Sequence, residues 1–270
     1  MRIGLWLVAL VILWLVPAEP VRLSAAEASP SARPAPAPAP PPPLSRADRA
    51  ESTNRYEVRT NHSADGIGKF YMGREIAHVI TGPGAASWLE RPEREAEENT
   101  ITLVEQLRIK PGSTVADIGA GTGYLSRRLA AKVGPQGQVL AEDIQPEMLK
   151  LLNESLAANA ITNVRTVLGT ITDAKLPPNS VDMAILVDVY HEFDHPYEMM
   201  RSIVASLRPQ GRIVFVEFRG EDPAVPIKEL HKMTEAQVKR EMAPWPLRWV
   251  ETIRVLPIQN IIVFEQAAAP

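Results

Sequence analysis

Val115-Ala116-Asp117-Ile118-Gly119-Ala120-Gly121-Thr122-Gly123-Tyr124 reads as a short apolar strand that empties into a helix through a turn almost free of side chains. Glycines at such a turn permit the tight reversal and let backbone amides approach a ligand at the helix N-terminus. An acid, Asp117, stands two residues before the first glycine, and Tyr124 occupies the place where the dinucleotide fingerprint G-x-G-x-x-G has its third glycine. The pattern is therefore D-x-G-x-G-x-G.

Downstream of this turn, short apolar runs alternate with helical periodicity, the signature of βαβ units and a mainly parallel sheet. Strands are predicted over 114–118, 138–143, 164–168, 181–187, 212–218, 247–256 and 260–265. Helices are predicted over 124–133, where Leu125, Leu129 and Val133 lie four apart, and over 146–158, where Met148, Leu151, Leu152 and Leu156 share a face. Two more are predicted over 196–207 and about 227–242. Only Pro257-Ile258-Gln259 joins the last two strands, a link that fits an antiparallel hairpin and is too short for a helical crossover.

The 270 residues allow one sizeable α/β domain with appendages. A net charge of −3 supplies no global field for phosphates, so no nucleic-acid partner is expected. The absence of cysteine removes disulfides, thiolate metal sites and a thiol nucleophile. Residues 1–28 read as a signal peptide or N-terminal anchor: Arg2, an apolar run from Ile3 to Val16, Pro17, then Ala26-Glu27-Ala28 as a cleavage site. Export, for example to a bacterial periplasm, or tethering to a membrane is expected if this signal works, and a cytoplasmic location if it does not. Residues 29–44 form a Pro/Ala-rich linker, with 8 Pro and 4 Ala among the 14 residues from Pro30 to Pro43, a composition that favours extended polyproline II. Residues 45–110 read as a helical cap, its clearest helix over 92–107, with Pro92 in the first turn and Glu93, Glu95, Glu97 and Glu98 near the positive end of the dipole.

From the glycine turn to residue 270 the chain resembles the class I S-adenosylmethionine-dependent methyltransferases, in texture the small-molecule, quinone-biosynthesis-like kind. The resemblance implies an α/β, Rossmann-like seven-stranded methyltransferase sheet over 111–270, of order 3-2-1-4-5-7-6 with strand 7 antiparallel. It implies S-adenosyl-L-methionine as cofactor and a small-molecule methyl acceptor. Asp117 would reach the cofactor amino group, and Gly119, Ala120, Gly121, Thr122 and Gly123 would cradle its methionine part. Leu140-Ala141-Glu142-Asp143-Ile144 matches the end of strand 2, where Asp143 would accept from the ribose hydroxyls and Ile144 would lie against adenine. Glu142, the competing acid, should point to the opposite face of the strand. Gly169-Thr170-Ile171-Thr172-Asp173-Ala174 matches the stretch after strand 3, where Asp173 would accept from the adenine amine beside Ala174. Asp188 and His191 follow strand 4, at the sheet edge where open α/β folds place ligands, and His191 is the candidate general base or substrate-orienting group. In the cap, Arg74, Trp88, Arg91 and Arg94, with Tyr71, are candidates to cover the cofactor or bind an acidic group.

No metal is expected by the resemblance, because strand 5 ends Glu217-Phe218-Arg219 without the Asp-Asn pair of catechol-type enzymes. Asp188-Val189-Tyr190-His191 likewise departs from the N/D-P-P-Y/F motif of amino-methylating nucleic-acid enzymes. Two other readings compete. His191-Glu192-Phe193-Asp194-His195 is a literal H-E-x-x-H zinc-protease motif, but Pro196 disfavours helical geometry at His195. A cofactor-binding module without catalysis is the alternative raised by the export signal, since S-adenosylmethionine is made in the cytosol.

Overall fold

The computed structural model describes residues 55–80 and 83–267. The signal segment 1–28, the linker 29–44 and the start of the cap lie outside the described residues.

A seven-stranded sheet organises the chain. It contains β4 (Thr114–Ile118), β5 (Gln138–Asp143), β6 (Val164–Leu168), β7 (Val181–Val187), β8 (Leu207–Phe218), β9 (Leu247–Ile253) and β10 (Gln259–Gln266), in the order β6-β5-β4-β7-β8-β10-β9. Counted from Thr114 this order is 3-2-1-4-5-7-6, as the resemblance implies. β10 runs antiparallel to both β8 and β9, while the pairs from β6 to β8 are parallel. Helices α4 (Tyr124–Val133), α5 (Pro146–Ala158), α6 (Pro196–Ser206) and α7 (Glu235–Met242) connect the strands.

Strand alternation divides the core into two layers. In β7, Met183 and Ile185 pack with Leu103, Leu107, Leu129 and Val133, whereas Ala184 and Leu186 pack with Met200, Ile203 and Val238. Phe215 in β8 is fully buried and stands edge-to-face against Tyr190 at 5.0 Å and Phe264 at 5.9 Å.

The cap adds to its expected helices a three-stranded antiparallel sheet of β1 (Tyr56–Val58), β2 (Gly66–Tyr71) and β3 (Arg74–Ala77). β2 and β3 turn through Met72 and Gly73, whose φ values of 47° and 89° suit a two-residue hairpin with both central residues left-handed. The helix predicted over 92–107 is broken in two, α2 (Arg94–Glu98) and α3 (Thr100–Gln106), after a preceding α1 (Pro83–Leu89). Asn99 makes the break: at φ 51° its side chain accepts from the Thr102 amide and restarts the helix. The helix predicted over 227–242 is shorter as well. A 3-10 turn, Glu229–His231, comes first, and Thr234 accepts from the Gln237 amide to open α7 at Glu235. Among the described residues no helix is long and apolar enough to cross a membrane.

Phe215→Ala should lower the free energy of urea unfolding by about 3–5 kcal/mol, because it empties a ring-lined cavity at the sheet centre. Leu168→Ala, at the exposed end of β6, should change it by less than about 0.5 kcal/mol.

Candidate functional site

The chain leaves β4 through Gly119 and Gly121, both left-handed at φ +66° and +55°. A Cβ at Gly119 would stand 2.4 Å from Val189 and one at Gly121 2.6 Å from Leu89, so a side chain at either place would displace a neighbour and strain the left-handed backbone. Its amides are spent on the neighbouring strand. Gly119 N donates to Glu142 Oε2 at 3.4 Å, Ala120 N to the Glu142 carbonyl at 2.8 Å, and Gly121 N to Asp143 Oδ2 at 2.9 Å. Asp143 Oδ1 accepts from Gln145 N at 2.8 Å, which also settles the entry into α5.

Beside this turn lies a cleft of about 450 Å³, within the range of small-molecule sites. Gly119, Gly121, Asp143, Ile144, Asp188 and His191 all line it. The other predicted cofactor-binding residues do not. Asp117 is buried beneath the turn and accepts from Ser126 Oγ at 2.6 Å. Ala120, Thr122 and Gly123 form the back of the turn, where Thr122 Oγ1 donates to Glu90 at 2.6 Å. Asp173 turns away to Lys175 Nζ at 2.7 Å, and Ala174, fully buried, donates its amide to Ser202 Oγ.

Glu142 departs from its expected place. It lines the same cleft as Asp143, because at the carboxyl end of a strand the cleft spans the sheet edge and receives side chains from both faces. Oε1 of Glu142 and Oδ1 of Asp188 are buried in the cleft wall without a hydrogen-bond partner. Burial, reinforced by Asp143, pushes the Glu142 carboxyl well above the usual range; burial, with Glu98 and Glu217 nearby, does the same to Asp188. Asp188 is itself left-handed at φ 51°, and Gln259 Nε2 donates to its Oδ2 at 2.6 Å. Burial also raises Asp143, and it raises Asp117 to about 6, opposed by the Ser126 hydroxyl and Arg94.

At the other end of the cleft a 3-10 turn, Tyr190–Glu192, presents His191 and Glu192. His191 Nδ1 meets Glu217 Oε2 at 2.7 Å, and Tyr190 N donates to Glu217 Oε1 at 3.1 Å. His191 Nε2 does not face open space: it lies 3.2 Å from His231 Nδ1. His195 takes no part. It precedes α6 and its Nε2 lies 3.1 Å from Lys69 Nζ, so the H-E-x-x-H spacing does not bring its two imidazoles together. The sequence does not single out His231, and it points to Glu217 only as the end of strand 5 and to Glu192 only within the H-E-x-x-H spacing. Thr234 followed by Gln237 marks a helix start three residues beyond His231, which could have corrected the helix bounds but not shown His231 at the site.

Of the cap candidates, Trp88 and Arg94 line the cleft, with Arg94 held by Glu98 at 2.9 Å and by the Leu89 carbonyl. Arg91 stacks on Trp88 at 3.6 Å and pairs with Glu97 and Glu98. Arg74 is buried against Glu241 and donates to the His191 carbonyl at 3.0 Å, a structural clamp, while Tyr71 packs on Tyr56.

The sequence model of a family described as "Methyltransferase domain" matches residues 109–256. The ubiquinone/menaquinone biosynthesis C-methyltransferase UbiE of Ectopseudomonas mendocina (strain ymp) is 33 % identical over 116 residues, which are 43 % of this chain and 45 % of that protein. The chain thus spans under half the length of the curated relatives it matches. Among solved structures, a SAM dependent methyltransferase from Aquifex aeolicus superposes with a TM-score of 0.66 at 21 % identity, covering 70 % of this chain and all of that one. The [4+2]-cyclase SpnF superposes at 0.55 with 13 % identity, over 63 % of this chain and 81 % of its own. At these identities the likeness is one of fold.

Asp117 makes the site's acidity measurable. Because its carboxyl is raised from 3.8 to about 6 in the folded protein, the stability it preserves is complete below about pH 4 and is lost as pH rises through about 6. Asp117→Asn removes that loss. Relative to the native chain, the variant should gain about 2 kcal/mol of unfolding free energy between pH 4 and pH 7, read from urea titrations at each pH.

Proposed function

The chain belongs to the methyltransferase-domain family, and on that premise we propose that it transfers the methyl group of S-adenosyl-L-methionine to a small-molecule acceptor. The observation that carries this reading is the pair of unpartnered carboxylate oxygens, on Glu142 and Asp188, in a cleft walled by the glycine turn and by Asp143. Such a wall suits a nucleoside rich in hydroxyl and ammonium donors and bearing a sulfonium charge. Asp143 and Glu142 would hold the ribose hydroxyls and Ile144 the adenine. Asp188 would take the amino end. Asp117 and Asp173, which do not line the cleft, would act on its shape through the turn and the loop after β6.

When bound, the cofactor supplies an electrophilic methyl: the nucleophile bonds to its carbon as the carbon–sulfur bond breaks, and the electron pair stays on sulfur. The protein's part is positioning and exclusion of water, worth most when the reacting atoms are held in line. Trp88, Leu89 and Arg94 from the cap, Phe193 from the loop before α6, Met199 from α6 and Phe218 from the end of β8 enclose the cleft. His191 has both ring nitrogens engaged, so its role is to orient the acceptor end. The name of the curated relatives makes a quinol-type ring the first acceptor class to test, and the apolar lining near Phe193 and Phe218 favours a flat ring.

We also propose that residues 1–28 direct export, on the strength of the apolar run Ile3–Val16 ahead of Ala26-Glu27-Ala28. N-terminal sequencing of the protein recovered from cell fractions tests this: a mature start at Ser29 outside the cytoplasm is expected, and an intact Met1 in the cytosol contradicts it.

Calorimetry of the full chain with S-adenosylhomocysteine should show micromolar binding, weakened about 30-fold or more in Asp143→Ala, a loss of roughly 2 kcal/mol of charge-assisted hydrogen bonding. Absence of binding at millimolar ligand would remove the methyl-transfer reading. Binding without transfer of labelled methyl to any quinol would leave the nucleoside site and reject that acceptor class.

A further inference from the structure

His191, Glu192 and His231 bring three donor atoms together at the acceptor end of the cleft. His191 Nε2 and His231 Nδ1 are 3.2 Å apart, His231 Nδ1 and Glu192 Oε1 3.3 Å, and His191 Nε2 and Glu192 Oε1 3.8 Å. All three residues are buried and all three line the cleft. Metal–ligand bonds of about 2.0 to 2.1 Å at tetrahedral angles place donor atoms about 3.3 to 3.4 Å apart, so two of the three edges already match such a site and the third lies within about half an ångström.

The surroundings are those of ligands oriented for a cation. Glu217 accepts from His191 Nδ1, which leaves the lone pair of the imidazole on Nε2, the carboxylate–histidine arrangement that metal sites use to fix the tautomer. Glu217 is held in turn by the Tyr190 amide. The second oxygen of Glu192 accepts from the Ile80 amide at 3.3 Å, which turns the first toward the histidines. Two acceptor atoms, His191 Nε2 and Glu192 Oε1, converge on the single hydrogen that His231 Nδ1 can supply. Cations around the cleft are engaged elsewhere: Arg74 with Glu241, Arg94 with Glu98, Lys232 with Glu229, and Lys228 with Asp65.

We propose that His191, Glu192 and His231 bind a first-row divalent ion of the zinc class through two imidazole nitrogens and one carboxylate oxygen, with the fourth position open to the cleft. That position would take an oxygen of the acceptor, a phenol or enol whose proton the ion makes easier to lose; this last clause rests on the methyl-transfer reading, whereas the ion site does not. The site is separate from the H-E-x-x-H spacing, since His231 replaces His195 as the second imidazole.

The test is cobalt titration of the purified, chelator-treated full chain, followed by the visible absorption of four- or five-coordinate cobalt and by competition with zinc. The native chain should develop that absorption at one equivalent and lose it to zinc. His231→Ala and Glu192→Gln should each weaken cobalt binding by about 100-fold or more, at or beyond the loss seen when only an outer-shell partner is removed, while His195→Ala should bind as the native chain does. Circular dichroism melts identify any variant that fails to fold, and Glu192→Gln, close to isosteric, serves if His231→Ala does. No uptake by the native chain, uptake unaffected by both variants, or equal loss in His195→Ala overturns the assignment. S-Adenosylhomocysteine calorimetry on the same samples separates the two readings: cobalt uptake without nucleoside binding keeps the ion site and removes methyl transfer, and nucleoside binding without cobalt uptake does the reverse.

Discussion

Two adjacent acids at the end of β5 hold the backbone of the turn that leaves β4. The amides of Gly119 and Gly121 have no partner within their own turn, and the carboxylates of Glu142 and Asp143 supply one each. Hydrogen bonds to charged acceptors contribute about 1.5–3 kcal/mol apiece, yet removing a carboxylate from water costs several kcal/mol, so the arrangement stands close to balance. Burial raises the pKa of these acids and leaves Glu142 Oε1 without a partner in the cleft wall. Everything placed around it, from the glycine conformations to the left-handed Asp188, follows from bringing those acids and that turn together in a dry crevice.

The central sheet was legible because strands in a parallel sheet are buried on both faces and therefore stand out as apolar runs between amphipathic helices. β4, β5, β6 and β7 have the predicted bounds, and β10 extends its predicted span by one residue at each end. β8 begins five residues early, because Leu207 pairs with Val181 across an irregular stretch that includes the left-handed Gln210. The cap sheet was not legible: β2 carries two glycines and a lysine, so its alternation is weak, and its pairing is decided by the Met72-Gly73 turn. At the site, the residues lining the cleft were those nearest strand ends. Asp117 and Asp173 matched a motif by position, but motif position says nothing of rotamer, and a nearby Ser126 or Lys175 claims each carboxylate. Glu142 was assigned away from the cleft by strand alternation, a rule that weakens where the strand stops. His231 comes from forty residues beyond His191, and no local pattern links the two.

The cap is part of the site's construction. Arg74, from β3, reaches Glu241 in α7 and the carbonyl of His191, so one guanidinium joins the cap hairpin, the last helix and the turn carrying the histidine. Ile80, just past β3, steadies Glu192 through its amide. Lys69, from β2, pairs with Asp194 on the same loop. The turn and loop that carry His191, Glu192 and Asp194 are thus braced by the cap, away from the glycine turn.

The position of β10 between β8 and β9 bears on how the protein is made. β9 leaves the ribosome before β10 yet has no edge of its own to join, since its neighbour in the sheet is the strand that follows it. A nascent chain that has emitted β9 therefore carries an unpaired strand, and the open flank of β8, rich in valine and phenylalanine, stays exposed until β10 arrives to close both at once. Until β10 is in place, β9 and the flank of β8 both present unpaired backbone to neighbouring chains.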